Sequence, residues 1–232
     1  MNKEALKLIR DFEKFHQSRY PHMSSASIDR ALGYMSPTIM EERELNVSQM
    51  DVFSRLMMDR IIFFGTEVND QTSNIVISQL LYLSSVNEDD PDPITMYINS
   101  PGGSVYSGLG IVDTMMSIKP IVKTTCTGLA ASMGSVLLAC GSRGHRSILP
   151  HARVMIHQPM GGVGEMTQAS DIEITAQEIL KLKEELFDIL AKRSGQPIEK
   201  LYKDGDRDHW LTAQEAKEYG LVDEVISVNY DK

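Results

Sequence analysis

Apolar and polar positions along the chain fall into short blocks that change character at regular intervals. RIIFFG, from Arg60 to Gly65, is an apolar run ended by a glycine, the pattern of a buried strand. The segment after it, Asn69 to Val86, has helical periodicity with polar residues at its start that suit capping. The alternation then repeats. ITMYINSP predicts a second strand and GSVYSGLGIVDTMMSI a second helix, while IVKTTCTG predicts a third strand, LAASMGSVLLAC a helix of small apolar residues, and RVMIHQP a fourth strand. Strands and helices that take turns in this way predict an α/β fold with mostly parallel strands covered by helices.

Two segments break the rhythm. Residues 1 to 33 carry a short helical pattern (Ala5, Leu6, Ile9, Phe12) and then a polar stretch with little to bury, so they are expected to form an extension outside the core. Thr167 to Gly195 places Ile172, Ile179, Leu182, Leu186 and Ile189 at helical spacing, with charge on the opposite face and a glycine C-cap signal at its end. A helix of about 25 residues runs about 38 Å, more than a compact core of this size needs. That excess length points to a neighbouring subunit. WLTAQEAKEYGLVDEVI then predicts a helix and a closing strand.

Composition excludes several function classes. The 232 residues fit one domain with a real core, or one domain plus an appendage. A formal net charge of -9 argues against a general electrostatic grip on nucleic acid or an anionic membrane. Cys126 and Cys140 lie in apolar sequence and read as small core residues of a reducing compartment, with no disulfide framework, metal set or redox pair. No apolar run approaches the roughly 20 residues that span a bilayer. The N-terminus mixes acids with bases and has no apolar signal core, which makes a bacterial-type cytoplasmic setting the expectation.

Four features carry candidate chemistry. In NSPGGS the pair Gly102 and Gly103 leaves backbone N–H groups uncovered at a strand-to-helix junction, where an oxyanion could be held; a tight turn capped by Ser104 would use the same residues. GLAASMGS offers Ser132 with half of a nucleophile elbow: Gly134 stands two places after it, but Ala130 occupies the first glycine position. Ser135 is the next serine in line. His157 follows the apolar run VMI, so its imidazole emerges at a strand end, as a catalytic base requires. The other histidines (His16, His22, His145, His151 and His209) sit in polar surroundings without metal-ligand spacing. DGDRDHW presents Asp204, Asp206 and Asp208, any of which could orient the imidazole. Together these make an acyl-transfer constellation in the order Ser, His, Asp.

TGLAASMGSVLLACG resembles the serine signature of the ClpP family, the proteolytic subunits of the Clp proteases, and RSILPHARVMIHQPMGG resembles its histidine signature. The likeness extends through SRLMMDRIIFFG, YINSPGGSVYSGLGIVDTM, DIEITAQEILKLKEEL and LTAQEAKEYGLVDEVI, and covers residues 34 to 226. It implies the ClpP/crotonase-like α/β fold of repeated strand-strand-helix units with a protruding handle helix. Residues 1–33 would be a propeptide removed by self-cleavage, with the mature start near Gly33 to Ser36. Residues 34–59 would form an axial segment and first helix, and residues 60–232 the peptidase core, with the handle at about 160–195. The loop between Gly162 and Asp171 is a residue or two longer than the family pattern.

The resemblance also implies roles. Ser132 matches the nucleophile and His157 the general base, while the acid-Arg-Asp pattern ahead of Trp210-Leu211 makes Asp208 the orienting acid. Gly103 and Met133 match the oxyanion-hole N–H donors, and Leu81, Tyr82 and Tyr97 match the apolar pockets where hexameric Clp ATPases dock. The implied protein is a serine endopeptidase subunit that hydrolyses unfolded polypeptide. It needs no metal or organic cofactor, since ATP is used by the partner ATPase, and it self-associates into two stacked seven-membered rings, with no nucleic acid or membrane partner. In this comparison the nucleophile elbow belongs to a different fold. Two other readings are a crotonase-type acyl-CoA enzyme, which has no need of a Ser132 and His157 pair, and a non-catalytic ring subunit, which has no need of all three triad candidates.

Overall fold

A computed structural model describes residues 38–43, 46–86, 91–164 and 166–229, the side chains from residue 51 onward. The expected helix near Ala5–Phe12, the 1–33 extension and the cleavage region Gly33–Ser36 lie outside the described residues. The chain divides between Arg55 and Leu56 into two compact units. In the first, strands β1 (Thr38–Arg43) and β2 (Asn46–Asp51) pair antiparallel, from Thr38 opposite Asp51 to Arg43 opposite Asn46, and helix α1 (Val52–Met58) begins directly after β2.

The second unit is built on a seven-stranded sheet. β3 (Ile61–Phe64), β4 (Ile94–Ser100), β5 (Val122–Ala131), β6 (Arg146–Ile148) and β9 (Glu224–Val225) lie side by side in that order and are all parallel. β7 (Arg153–Ile156) pairs parallel with β5, and β8 (His209–Thr212) antiparallel with β7. The helices are α2 (Asp70–Ser85), α3 (Val105–Ser117), α4 (Met133–Ala139), α5 (Ala169–Ser194), α6 (Ile198–Asp204) and α7 (Ala213–Tyr219). Right where the polar start was expected to cap, Asn69 Oδ1 accepts from the Thr72 N–H and Thr72 Oγ1 accepts from the Asn69 N–H, a reciprocal box that opens α2.

Alternation in β4 sends Ile94, Met96 and Ile98 into the core, where they meet the apolar residues of α4. Every residue of α4 is buried, so this short helix is an internal pillar. α5 is different along its length: Leu182, Leu186, Phe187 and Leu190 are buried, whereas none of residues 169–181 is. Its 26 residues span about 39 Å and end at Gly195, whose N–H donates to Ala191 O.

The structure corrects the sequence reading in two places. LAASMGSVLLAC does not form one helix: β5 continues to Ala131 because Leu129–Ala131 pair with Arg153–Met155 of β7, and the helix starts only at Met133. The short β6, α6 and β8 were not expected at all; each is too brief to show a period, and each exists through tertiary pairing or packing. Among the described residues, no helix is long and apolar enough to cross a membrane.

Candidate active site

The site begins where β5 branches. Its first half, Thr124–Cys126, pairs with β6, and its second half, Leu129–Ala131, pairs with β7. The Ser132 N–H donates to Met155 O at 2.9 Å, carrying the ladder one residue past the strand. Met155 stands two residues before His157, so this bond sets the serine beside the histidine.

Ser132 adopts φ 54°, ψ -124°, turning the chain sharply from β5 into α4. A non-glycine residue there costs about 1–3 kcal/mol and persists only where the surroundings over-determine it. Here they do. The Ser132 carbonyl accepts from the N–H groups of Ser135 and Val136 and from Ser135 Oγ at 2.6 Å. Ser135 thus spends its hydroxyl proton on the backbone, which removes it as a rival nucleophile. Strand, strained serine and helix make an elbow in the backbone sense although its first glycine is missing. Ala130, fully buried between Ser100 and Val154, supplies the small residue that position needs.

The diglycine loop packs onto this turn. A Cβ on Gly102, at φ 90°, would lie 2.6 Å from Ser132 Cβ and 2.8 Å from Met133 N; one on Gly103, at φ 145°, would collide with Val68 O. Both positions therefore require glycine, for space and for backbone conformation. Sequence analysis left both amides uncovered, but the Gly102 N–H donates to Ser100 Oγ at 3.2 Å. Gly103 faces Val68 across an isolated parallel bridge in which Val68 bonds Gly102 O and the Ser104 N–H, both at 2.8 Å, so the Gly103 N–H is turned the other way. The N–H groups of Gly103 and Met133 have no acceptor among the described residues, and both residues line the same cavity as Ser132. The Met133 side chain is buried against Gly108 of α3, leaving its amide as the group presented to the cavity.

His157 lies 2.9 Å from Ser132 Oγ through Nε2 and 2.9 Å from Asp208 Oδ1 through Nδ1. A carboxylate only accepts, so Nδ1 donates to Asp208 and the Nε2 lone pair faces the serine hydroxyl. The β7–β8 register explains the meeting: Ile156 is opposite His209, and the next step of the antiparallel pair sets His157 opposite Asp208. All three aspartates left open by the sequence have distinct partners. Asp204 bonds Lys200 Nζ and the Tyr219 hydroxyl, Asp206 receives Gln158 Nε2, and Asp208 receives His157. Burial pushes the Asp204 carboxyl up, but those two hydrogen bonds and the Lys200 charge bring it below its ordinary range, as befits a structural carboxylate.

A cavity of about 370 Å³ opens over these groups. Gly103, Ser132, Met133, His157 and Asp208 edge it, and Val105, Val136, Met155, Leu186 and Leu190 supply apolar walls. Sequence reasoning missed the contribution of α5, although Leu182, Leu186 and Leu190 lie on one helical stripe that could have signalled it. His151 is exposed in the turn before β7 and does not line the cavity. Leu81 and Tyr82 are exposed on α2, and Tyr97 is half-buried on β4 beside the exposed Phe63 of β3. Cys126 and Cys140 are buried free thiols, pushed up by burial to about 12 and about 11, and so poor nucleophiles. Among the described residues, no three His, Cys, Asp or Glu side chains cluster as metal ligands would.

Serine, imidazole and carboxylate in one hydrogen-bonded row, beside two open amides and an apolar cavity, are an arrangement able to carry out acyl transfer. Comparison with known proteins points the same way. The family described as Clp protease matches residues 43–229.

The chain belongs to the Clp protease family.

It is 59% identical over 220 residues to an ATP-dependent Clp protease proteolytic subunit of Bacteroides fragilis, covering 93% of this chain and 98% of that one. A protein of the same description from Bacteroides thetaiotaomicron is 58% identical over 220 residues, with the same coverage, and one from Porphyromonas gingivalis is 59% identical over 196 residues, covering 84% of this chain and 86% of its own. Membership makes the chain a protease subunit of the Clp system and sets aside the acyl-CoA reading. The expected α/β fold of the family agrees with the mixed sheet and its covering helices.

Proposed function

We propose that this protease subunit is a serine endopeptidase. The observation that carries the reading is the row Ser132 Oγ, His157 and Asp208, each link 2.9 Å long. Ser132 attacks the peptide carbonyl as His157 Nε2 takes its proton, and Asp208 holds the imidazole in the right tautomer and stabilises its protonated form. The developing oxyanion is received by the Gly103 and Met133 N–H groups. His157 returns its proton to the leaving amine, and water then repeats the sequence to release the acyl group from Ser132. No metal or organic cofactor enters this route. An apolar substrate side chain suits the walls formed by Val105, Val136, Met155, Leu186 and Leu190.

The working assembly is two stacked seven-membered rings in the bacterial cytoplasm, acting on unfolded polypeptide delivered by a hexameric Clp ATPase that alone consumes ATP. The half of α5 without buried residues, with Ile172, Ile174 and Leu180 exposed, supports a role as handle between rings, and the exposure of Leu81 and Tyr82 supports the docking face. Residues 1–33 are released by self-cleavage near Gly33–Ser36. The test is hydrolysis of a fluorogenic peptide by the purified full chain and by Ser132→Ala, with assembly followed by light scattering. Activity that disappears in the variant while the particle mass is kept is the expected result. Wild-type protein that assembles but never cleaves would instead make it a non-catalytic subunit.

A further inference from the structure

The triad employs His157 but leaves its neighbour Gln158 unassigned. Gln158 follows directly after β7, and its side chain bridges two elements. Its Oε1 accepts from Lys183 Nζ on α5 at 2.8 Å, and its Nε2 donates to Asp206 O at 2.7 Å and to Asp206 Oδ1 at 3.3 Å. Its backbone N–H donates to Gly205 O at 2.7 Å. An ammonium group only donates, so Lys183 fixes which end of the amide faces α5 and which faces the aspartate loop.

Lys183 is itself seated. Its Nζ lies 5.4 Å from the Tyr202 ring centroid and 5.9 Å from that of Phe187, and these rings meet edge to face at 5.1 Å. Gly205 packs on the same Phe187, where a Cβ would come within 2.7 Å of the ring. The segment from Gly205 to Asp208 is thus held at its start by Gly205 and Gln158 and at its end by the pairing of β8 with β7. The carboxylate at stake has little other support. The Asp208 side chain is 59% exposed, and His157 is its one hydrogen-bond partner among the described residues, so its position follows the backbone beneath it.

We propose that Lys183 and Gln158 are positioning residues: Lys183 orients the Gln158 amide, which holds Asp206 O and so sets Asp208 against His157. The inference rests on the serine-peptidase reading above. Neither residue lines the cavity, so their effect falls on turnover and not on substrate affinity.

The test uses purified full-length Lys183→Met, Lys183→Arg, Gln158→Met and the Lys183→Met/Gln158→Met pair, with active sites counted by fluorophosphonate labelling. Lys183→Met and Gln158→Met should each lower kcat per labelled site by about ten- to a hundredfold, the scale of a small misplacement of a catalytic group. KM should stay within about twofold. Lys183→Arg, which keeps a donor and can stack on the rings, should restore most of the rate, and the double variant should cost no more than the worse single one. A KM that rises in step with the loss of kcat, a Lys183→Arg variant no better than Lys183→Met, or losses that multiply in the double variant, would overturn the inference while leaving the triad standing. Wild-type protein that does not label at Ser132 would remove both.

Discussion

On one side of His157 the nucleophile is held chiefly by backbone; on the other the carboxylate stands on a loop held by strand pairing at one end and by a side-chain clamp at the other. Ser132 is locked by a ladder bond to Met155, by a buried helix and by Gly102 pressed against it. Asp208 stands on an exposed loop whose path depends on strand register and on Gln158. The difference teaches where each half is fragile. A backbone lock tolerates polar changes nearby but no added Cβ, whereas a side-chain clamp fails when one hydrogen bond is removed.

Four substitutions sharpen that contrast. Ser132→Ala removes the nucleophile and should cut peptide hydrolysis by about 10⁶-fold, to background, as assayed with a fluorogenic peptide. Asp208→Asn should lower kcat by about 10³- to 10⁴-fold, because the amide stabilises the wrong imidazole tautomer, and Asp206→Asn, measured in parallel, should cost less than about tenfold. A greater loss at 206 would reverse the assignment of the acid. Gly102→Ala should cost about 10²- to 10³-fold in kcat, the scale of losing an oxyanion donor, since its Cβ must push the Ser132 turn and the Met133 amide aside.

Asp223→Asn gives the smallest catalytic effect, about twofold or less in the same peptide assay, and tests the far end of the serine's helix. There Ala139 O accepts from Arg146 Nη1 and Arg193 Nε, and Asp223 grips Arg146 through both of its oxygens. Burial pushes the Asp223 carboxyl up, but the Arg146 hydrogen bonds and charge bring it below its ordinary range. A depressed carboxyl stabilises the fold above its unfolded value near pH 3.9 and loses that contribution as pH falls through the lower folded value. At pH 7 the substitution should therefore cost about 1–3 kcal/mol in denaturant unfolding, and wild type and variant should converge below about pH 4.

Much of the fold was legible because its principal elements are either apolar runs or long enough to show a period. RIIFFG stands out as an apolar run, although as an end strand it buries only Ile62 and Phe64 and leaves Phe63 exposed, whereas ITMYINS and the 26-residue α5 show true periods of burial. The Leu129–Ala131 strand was not: small apolar residues suit a helix as well as a strand, and only the partner β7, more than 20 residues away, decides between them. The site shows the same division. Ser132, His157 and the two glycines sit at element junctions that can be read locally, whereas the choice among Asp204, Asp206 and Asp208 depends on the β7–β8 register and on Gln158, neither of which has a sequence period. The elbow was hidden for a related reason. Its sequence signature asks for a glycine at 130, but the backbone asks only for a small residue, and alanine satisfies it.

Reaction of the purified full-length protein with a fluorophosphonate, read by intact mass and peptide mapping, tests the central claim most directly. One adduct per chain on the peptide carrying Ser132, formed by wild type and absent from Ser132→Ala, is the expected result. An adduct on Ser135 or any other residue, or labelling that persists undiminished in Ser132→Ala, would contradict it.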